Sequence, residues 1–308
     1  SLHQNIMNGD RFFWNTTTGW MMWNYAIGSF LCGATLCLYD GSANFPDIGV
    51  QWRFAKDAKI NHFGNGSAMF IASMKQNCKD VSNENLKFIK TIGATGSPLS
   101  IEAFKWLQKK LPSTQIISLS GGTDVCSAFI GGCPKLPVYA GFLQCNMLGA
   151  SIRAWDENGK SIKGKTGELV ITEPLPSMPV FFWGDENFKK YNDSYFVENQ
   201  EVWTHGDWIF IDELRGVLMQ GRSDATLNRN GIRIGTSEIY SVLDGIKEIK
   251  DSLIIDLNID GSSKLVLFVE TEHELNKDFK SNIIKAIKSK CSPRHSPNLI
   301  FSISHVPY

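Results

Sequence analysis

Residues 28–39 are small or apolar and stop at Asp40-Gly41. That pattern predicts a helix passing into a buried strand and a turn. Further on, Ile101, Phe104, Leu107 and Leu111 recur at helical spacing behind Ser100, a good N-cap. Residues 115–120 then read as a buried strand that runs into Gly121 and Gly122. From Gly167 the alternation shortens to strands and turns, in GELVIT, DWIFID and GVLMQG. Past Gly235 a helical stripe of Ile239, Val242, Leu243 and Ile246 precedes strands at 253–257 and 264–270. A second stripe, Leu275, Phe279, Ile283 and Ile287, leads to a last strand at 299–304. Helices and strands alternating in this way predict an α/β fold. The final helix, two strands, helix and strand make a small module of their own. Its boundary falls in GRSDATLNRNGIRIG, residues 221–235.

Composition adds mainly exclusions. Of the 308 residues, 43% are hydrophobic and 20% charged, which is ample material for a core. Lys+Arg and Asp+Glu both number 31, so no net field favours nucleic acid or a membrane surface. The apolar run at 28–39 is too short for a membrane span. SLHQNIMNGD has neither the basic start nor the apolar centre of a signal peptide. The seven cysteines include no Cys-x-x-Cys pair, and the six histidines are scattered. Free thiols in a reducing cytosol, and no His/Cys metal site, are the expectation.

Four short segments carry candidate chemistry. In residues 92–100 a strand end meets Gly96, Ser97 and Pro98 ahead of the Ser100 cap; taken alone, this is a turn and an N-cap. In residues 118–125 a strand breaks into Gly121, Gly122, Thr123 and Asp124. Bare N–H groups and a hydroxyl suit a phosphate there, and a carboxylate suits Mg²⁺. A tight turn satisfied by its own Thr and Asp explains the same residues equally well. In WTHGD, Asp207 is placed at a strand start beside Gly206, where an acidic side chain can accept ribose hydroxyls. A turn Asp with a partly exposed His205 is the plainer reading. The fourth segment is 221–235, whose arginines have the planar fork that grips phosphates and carboxylates.

Their order gives them weight. DRFFWNTTTGWMMWNY, GATLCLYDG, HFG, TGSPLS, SGGTDVCSAFIGG, LPVYAG, GELVITEPLPSMPVFFW, WTHGD and GRSDATLNRNGIRIGTSEIY follow one another along nearly the whole chain. In this the sequence resembles the adenylate-forming, AMP-dependent acyl-CoA synthetases. The WMMWN and SGGTD versions resemble the acetoacetate-activating branch of the acetyl-CoA-synthetase group. The resemblance implies a large AMP-binding domain, of which residues 1–223 are the remainder, and a small α+β C-terminal domain from 224 to 308. It implies an ATP-dependent acid–CoA ligase reaction in two steps. Acetoacetate and Mg·ATP give an acyl-adenylate and pyrophosphate; the small domain then rotates, and CoA displaces AMP to form acetoacetyl-CoA. The alternatives are a ligase for another small acid, or a truncated chain that binds nucleotide or CoA without turnover.

Position by position, the resemblance implies that Thr123 holds the α-phosphate, with Gly121 and Gly122 beside it, and that Asp124 takes the Mg²⁺ role. Gly96, Ser97 and Pro98 line the adenine slot, and Asp207 and Arg222 bind ribose. Asp224 is the pivot, Arg233 approaches the phosphates while the adenylate forms, and Gly231 passes close to CoA. Arg229 stays a solvated surface charge. Acetyl-specific relatives have Trp-Trp-Gln-Thr-Glu where Ser120 to Asp124 stand here, so Gly121 is expected to leave open an acyl pocket that Trp closes. Ser120 cannot stack on adenine as the first Trp does. Trp20, Trp23 and Tyr25 read first as core and second as pocket wall, and His62 reads as either a pocket or a structural histidine. No Gly-rich loop ending in Lys precedes Asp10, and the chain stops at His305-Val-Pro-Tyr308, just before the family's catalytic Lys motif. The resemblance therefore implies a fragment lacking both. No partner beyond these small molecules is implied, and nothing in the sequence fixes an oligomeric state.

Overall fold

A computed structural model describes residues 2–197, 201–214, 216–223, 227–229, 232–234, 236–259 and 262–307, with side chains at 227–235, 237 and 258–263 outside the description. The chain divides into two compact units, Ser1–His205 with Ile209–Met219, and Gly206–Trp208 with Gln220–Tyr308.

The first unit opens with β1 (Arg11–Trp14), α1 (Met21–Gly28), β2 (Thr35–Leu36), α2 (Val50–Asp57), β3 (His62–Gly66), α3 (Ser67–Lys75), α4 (Asn83–Leu86), β4 (Thr91–Thr95), α5 (Ile101–Lys110) and β5 (Gln115–Ser118). The five strands form one parallel sheet in the order β2-β1-β3-β4-β5. Alternation along β1 sends Phe13 into one core layer with Trp52, Phe63, Phe70 and Leu107. Phe12 and Trp14 enter the opposite layer with Ala26, Ile117 and Leu119. Both faces are thus buried, as parallel sheets require. Ser100 caps α5 as expected, its Oγ accepting from the Ala103 N–H at 3.2 Å. The helix expected inside 28–39 instead lies upstream as α1, and the strand there is a two-residue edge strand. Its small residues serve the turn from a 3₁₀ segment, Ser29–Cys32, into β2.

One row across this sheet is made of Trp14, Gly64, Gly93 and Ile117. The indole lies over both glycines: a Cβ at Gly93 would come within 2.5 Å of it, and one at Gly64 would overlap it. Only glycine permits that approach.

At the amino ends of β1, β3 and β4 sits a buried polar network. The Asp10 carboxylate accepts from Lys90 Nζ at 2.6 Å, from His62 Nε2 at 2.9 Å and from the Met7 N–H at 2.9 Å. His62 Nδ1 meets Thr91 Oγ1 at 2.7 Å. Burial pushes the Asp10 carboxyl up, yet Lys90, His62 and Met7 together hold it below the usual carboxylate range. Burial holds His62 below its ordinary value against the opposing pull of Asp10. His62 is therefore a structural histidine.

Antiparallel pairing follows. Strands β6 (Ser120–Gly122), β7 (Ser127–Gly131) and β8 (Cys145–Asn146) form a three-stranded sheet. Next come β9 (Ile152–Trp155), β10 (Ser161–Ile162), β11 (Thr166–Ile171), α6 (Lys189–Tyr195), β12 (Trp203–Ile211) and β13 (Val217–Arg222), whose strands order as β10-β9-β11-β12-β13. The single strand expected at 115–120 is in fact two: β5 ends at Ser118, and β6 joins a different sheet.

The second unit continues with the hairpin β14 (Leu227–Arg229) and β15 (Ile232–Ile234), then α7 (Thr236–Asp244), β16 (Asp251–Ile259), β17 (Ser262–Glu270), α8 (Lys277–Lys290) and β18 (Leu299–Ile303). Strand β17 pairs antiparallel with β16 and parallel with β18. Asn276 caps α8 by accepting from the Phe279 N–H at 2.9 Å. Ile283 and Ile287, one turn apart, then pack with Ile239, Leu243, Leu265, Leu267 and Ile300. Among the described residues no helix is long and apolar enough to cross a membrane.

Candidate functional site

Ligands of open parallel sheets bind at the carboxyl ends of the strands, and two of the four segments lie there in the first unit. After β4, Gly96 takes a left-handed conformation (φ +86°) that frees the chain from the strand. Ser67 Oγ donates to the Ser97 carbonyl at 2.6 Å, and Thr95 Oγ1 donates to that of Leu119 at 2.9 Å. The exposed Gly96–Ser97–Pro98 turn is thereby braced against the chain leaving β5.

The β6 turn is held from both sides. Thr123 Oγ1 accepts from the N–H of Met21, the first residue of α1, at 3.2 Å. Asp124 Oδ2 accepts from the Tyr195 hydroxyl at 2.6 Å. The Tyr195 ring stacks on Trp203 with centroids 3.6 Å apart, and Trp203 Nε1 donates to His205 Nδ1 at 3.1 Å. His205 is 8% exposed and meets Phe129 edge-on, so it is a buried histidine rather than a surface one. Burial, and then the Asp124 charge, push the nearby Tyr191 phenol up.

Gly121 does not open a pocket by lacking a side chain. A Cβ there would overlap the Ser127 carbonyl oxygen and come within 2.6 Å of Ala128 Cα. The β6–β7 register shifts between Ser120 and Gly121, which presses the two backbones together. The first atom of any side chain at this position would meet main chain. At Gly122 a Cβ would stand 3.0 Å from His205 Cε1.

A cleft of about 360 Å³ nevertheless lies next to the turn, between α1 and the strands β7 and β8. Met21, Asn24 and Tyr25 line one side, and Cys126, Ala128 and Met147 the other. The Tyr25 hydroxyl donates to Gln4 Oε1 at 2.6 Å. Of the three aromatics read first as core, Tyr25 packs against Phe12 and Trp14, whereas Trp20 is 63% exposed and Trp23 only half-buried. The face turned to the cleft is Met21, Asn24, Tyr25 and Gly28, spaced i, i+3, i+4, i+7. That spacing was the available signal for Met21 and Asn24. Cys126, Ala128 and Met147 carried none, because strand pairing brings them to the cleft.

In the second unit Asp207 lies within β12 instead of at a strand start, next to Gly206 in a left-handed conformation (φ +83°). Arg222, which ends β13, comes within 3.8 Å of its carboxylate. The Ser223 N–H donates to the Gly206 carbonyl at 2.9 Å. Asp224 and Gly231 lie outside the described residues, as do the side chains of Arg229 and Arg233, whose backbones belong to the β14–β15 hairpin.

Among the described residues no three His, Cys, Asp or Glu side chains converge as a metal cluster. The exposed Asp124 carboxylate fits Mg²⁺ in a different way. This ion keeps waters and takes one or two carboxylates together with substrate phosphates.

The family model described as AMP-binding enzyme matches residues 2–179. Acetoacetyl-CoA synthetase of Gallus gallus is 39% identical over 312 residues, covering 100% of this chain and 47% of that protein. Acetoacetyl-coenzyme A synthetase of Rhizobium meliloti (strain 1021) is 39% identical, covering 99% and 47%. The structure of acetoacetyl-CoA synthetase from Streptomyces lividans superposes with a TM-score of 0.91 at 39% identity, covering 100% of this chain and 48% of that one. The chain thus spans about half the length of these relatives. A strand end braced by Ser67 and a Thr-Asp turn tied to a helix start fall within the matched segment, and the chain belongs to the AMP-binding enzyme family.

Proposed function

We propose that this chain is the part of an ATP-dependent acid–CoA ligase that holds an acyl-adenylate, with acetoacetate as the acid. The observation that carries the reading is the tie between Thr123 and Met21, which joins a phosphate-type turn to the head of a helix lining the neighbouring cleft. A carboxylate seated in the cleft would meet the α-phosphate at Thr123, whose hydroxyl can donate to it while accepting from the Met21 N–H. The mainly apolar lining suits a short acyl chain, and Asn24 suits a keto oxygen.

Gly96, Ser97 and Pro98 would flank adenine, with Gly121 and Gly122 giving the phosphate close access to backbone. Asp207 would accept ribose hydroxyls, with Arg222 beside it. Mg²⁺ would bind at Asp124 and neutralise phosphate charge; Tyr195 keeps that carboxylate in place. Arg233 is assigned to the phosphates, Gly231 to the approach of CoA and Asp224 to the pivot between the two half-reactions. Seven free cysteines fit a reducing, cytosolic setting.

The test is binding of AMP to the chain, measured by calorimetry. Thr123→Val removes the hydroxyl at nearly constant shape and should weaken binding about tenfold or more, the cost of one hydrogen bond to a charged group. Unaltered affinity in that variant would remove Thr123 from the site. In the longer enzyme, acetoacetate-dependent AMP formation with CoA should exceed the acetate-dependent rate, and the reverse order would refute the choice of acid. AMP binding without any AMP formation there would favour the non-catalytic alternative.

A further inference from the structure

The carboxylate of Asp124 is held by a residue 71 positions further along the chain, since the Tyr195 hydroxyl donates to its Oδ2 at 2.6 Å. A hydroxyl that close to a charged oxygen makes one of the stronger hydrogen bonds in a protein. The backbone beneath the carboxylate is closed as well, with the Cys126 N–H donating to the Thr123 carbonyl at 3.0 Å.

Tyr195 is itself fixed, so it cannot follow a carboxylate that turns. Its ring lies flat on that of Trp203, with centroids 3.6 Å apart and planes 15° from parallel. Trp203 is fully buried, and the rings of Tyr191 and Phe196 meet it edge-on at 5.9 and 6.1 Å. Helix α6, which carries Tyr191 and Tyr195, is anchored at its start by the buried Asp185. Asp185 Oδ1 accepts from the Lys190 N–H at 3.0 Å, and Oδ2 from the Tyr191 N–H at 2.9 Å. The phenol thus stands at a set position over the turn, with Oδ2 as its acceptor.

That arrangement leaves Oδ1 of the exposed Asp124 to meet a cation. We infer that Tyr195 determines cation specificity: it makes Asp124 a one-oxygen ligand, which favours Mg²⁺ over Ca²⁺. Mg²⁺ demands a tight octahedron and is satisfied by single carboxylate oxygens with water and phosphate. Ca²⁺ is larger, takes about six to eight oxygens, and readily draws both from one carboxylate. To do so here it would have to strip Oδ2 of the hydroxyl that donates to it, and the stacked ring cannot move aside with the group. The inference rests on the assignment of Mg²⁺ to Asp124, and it does not depend on which acid the chain activates.

The experiment titrates MgCl₂ and CaCl₂ in parallel into the full chain saturated with AMP, by calorimetry. The parent chain should bind Mg²⁺ more tightly than Ca²⁺. Tyr195→Phe keeps the ring on Trp203 and removes only the hydroxyl. In that variant Ca²⁺ affinity should rise about tenfold relative to Mg²⁺, the worth of one hydrogen bond to a charged group. Asp124→Asn should weaken both cations. A parent chain without preference for Mg²⁺, or a Tyr195→Phe variant in which both affinities change by the same factor, would overturn the inference and leave Mg²⁺ at Asp124. The second result is what a purely structural tyrosine would give. Cation binding that survives Asp124→Asn would overturn the inference and the Mg²⁺ assignment together, while the AMP test at Thr123 judges the nucleotide site separately.

Discussion

Gly121→Ala should destabilise the first unit by about 3 kcal/mol, the upper range for overpacking. The added methyl would meet the Ser127 carbonyl oxygen and Ala128 Cα, both main-chain atoms of β7, so no rotamer change relieves the clash. Relief would require β6 and β7 to separate at their bulge, and the Thr123–Asp124 turn follows directly from β6. Urea unfolding followed by tryptophan fluorescence measures the effect. Gly96→Ala provides the contrast, since a methyl there meets open space and only its positive φ opposes it, at about 1 kcal/mol. If Gly121 were merely leaving room for a longer acid, Gly121→Ala would leave stability unchanged and narrow the acid range. The two explanations therefore predict opposite patterns of stability and specificity.

Asp10→Asn should cost about 3 kcal/mol, because it removes the charge that Lys90 and buried His62 both engage. The same network makes stability fall on the acid side. Burial holds His62 below its ordinary value in the folded chain, so from about pH 6.5 downward the unfolded state binds the proton first and folding weakens. Asp10 is also held low, so its contribution is complete above about pH 4 and lost as pH falls further. Thermal midpoints should therefore drop between pH 7 and 5, then drop again below pH 4. His62→Gln should flatten the first step and leave the second. A parent chain equally stable at pH 7 and 5 would show that His62 does not titrate with folding.

Local features could be read from the sequence. The Ser100 cap, the Ile283 and Ile287 stripe and the strands of the last module depend on spacing within one element, and the structure has them in place. What stayed hidden depends on partners far along the chain. Asp10 meets His62 and Lys90, 52 and 80 residues away, so nothing near HFG marks the histidine as structural. The crowding at Gly121 comes from a shifted register with β7, which composition does not encode. At α1 the cleft face is set by spacing and not by the largest side chains. Trp20 and Trp23 are conspicuous in a sequence, whereas Met21, Asn24, Tyr25 and Gly28 share the side turned to the cleft. The four-segment order showed the family because a series of weak matches in sequence is far more restrictive than any one of them.

The indole lying over Gly64 and Gly93 has a consequence for how the sheet assembles. Parallel strands lack a hairpin to set their alignment, so long-range side-chain fit has to do it. Trp14 faces a level gap only when β1, β3 and β4 all sit at their native offsets. A one-residue slip of β3 would put Phe63 or Asn65 opposite the indole, where glycine alone fits. The row acts as a gauge that rejects misaligned sheets during folding, and the emission of this buried tryptophan should report when the three strands have locked.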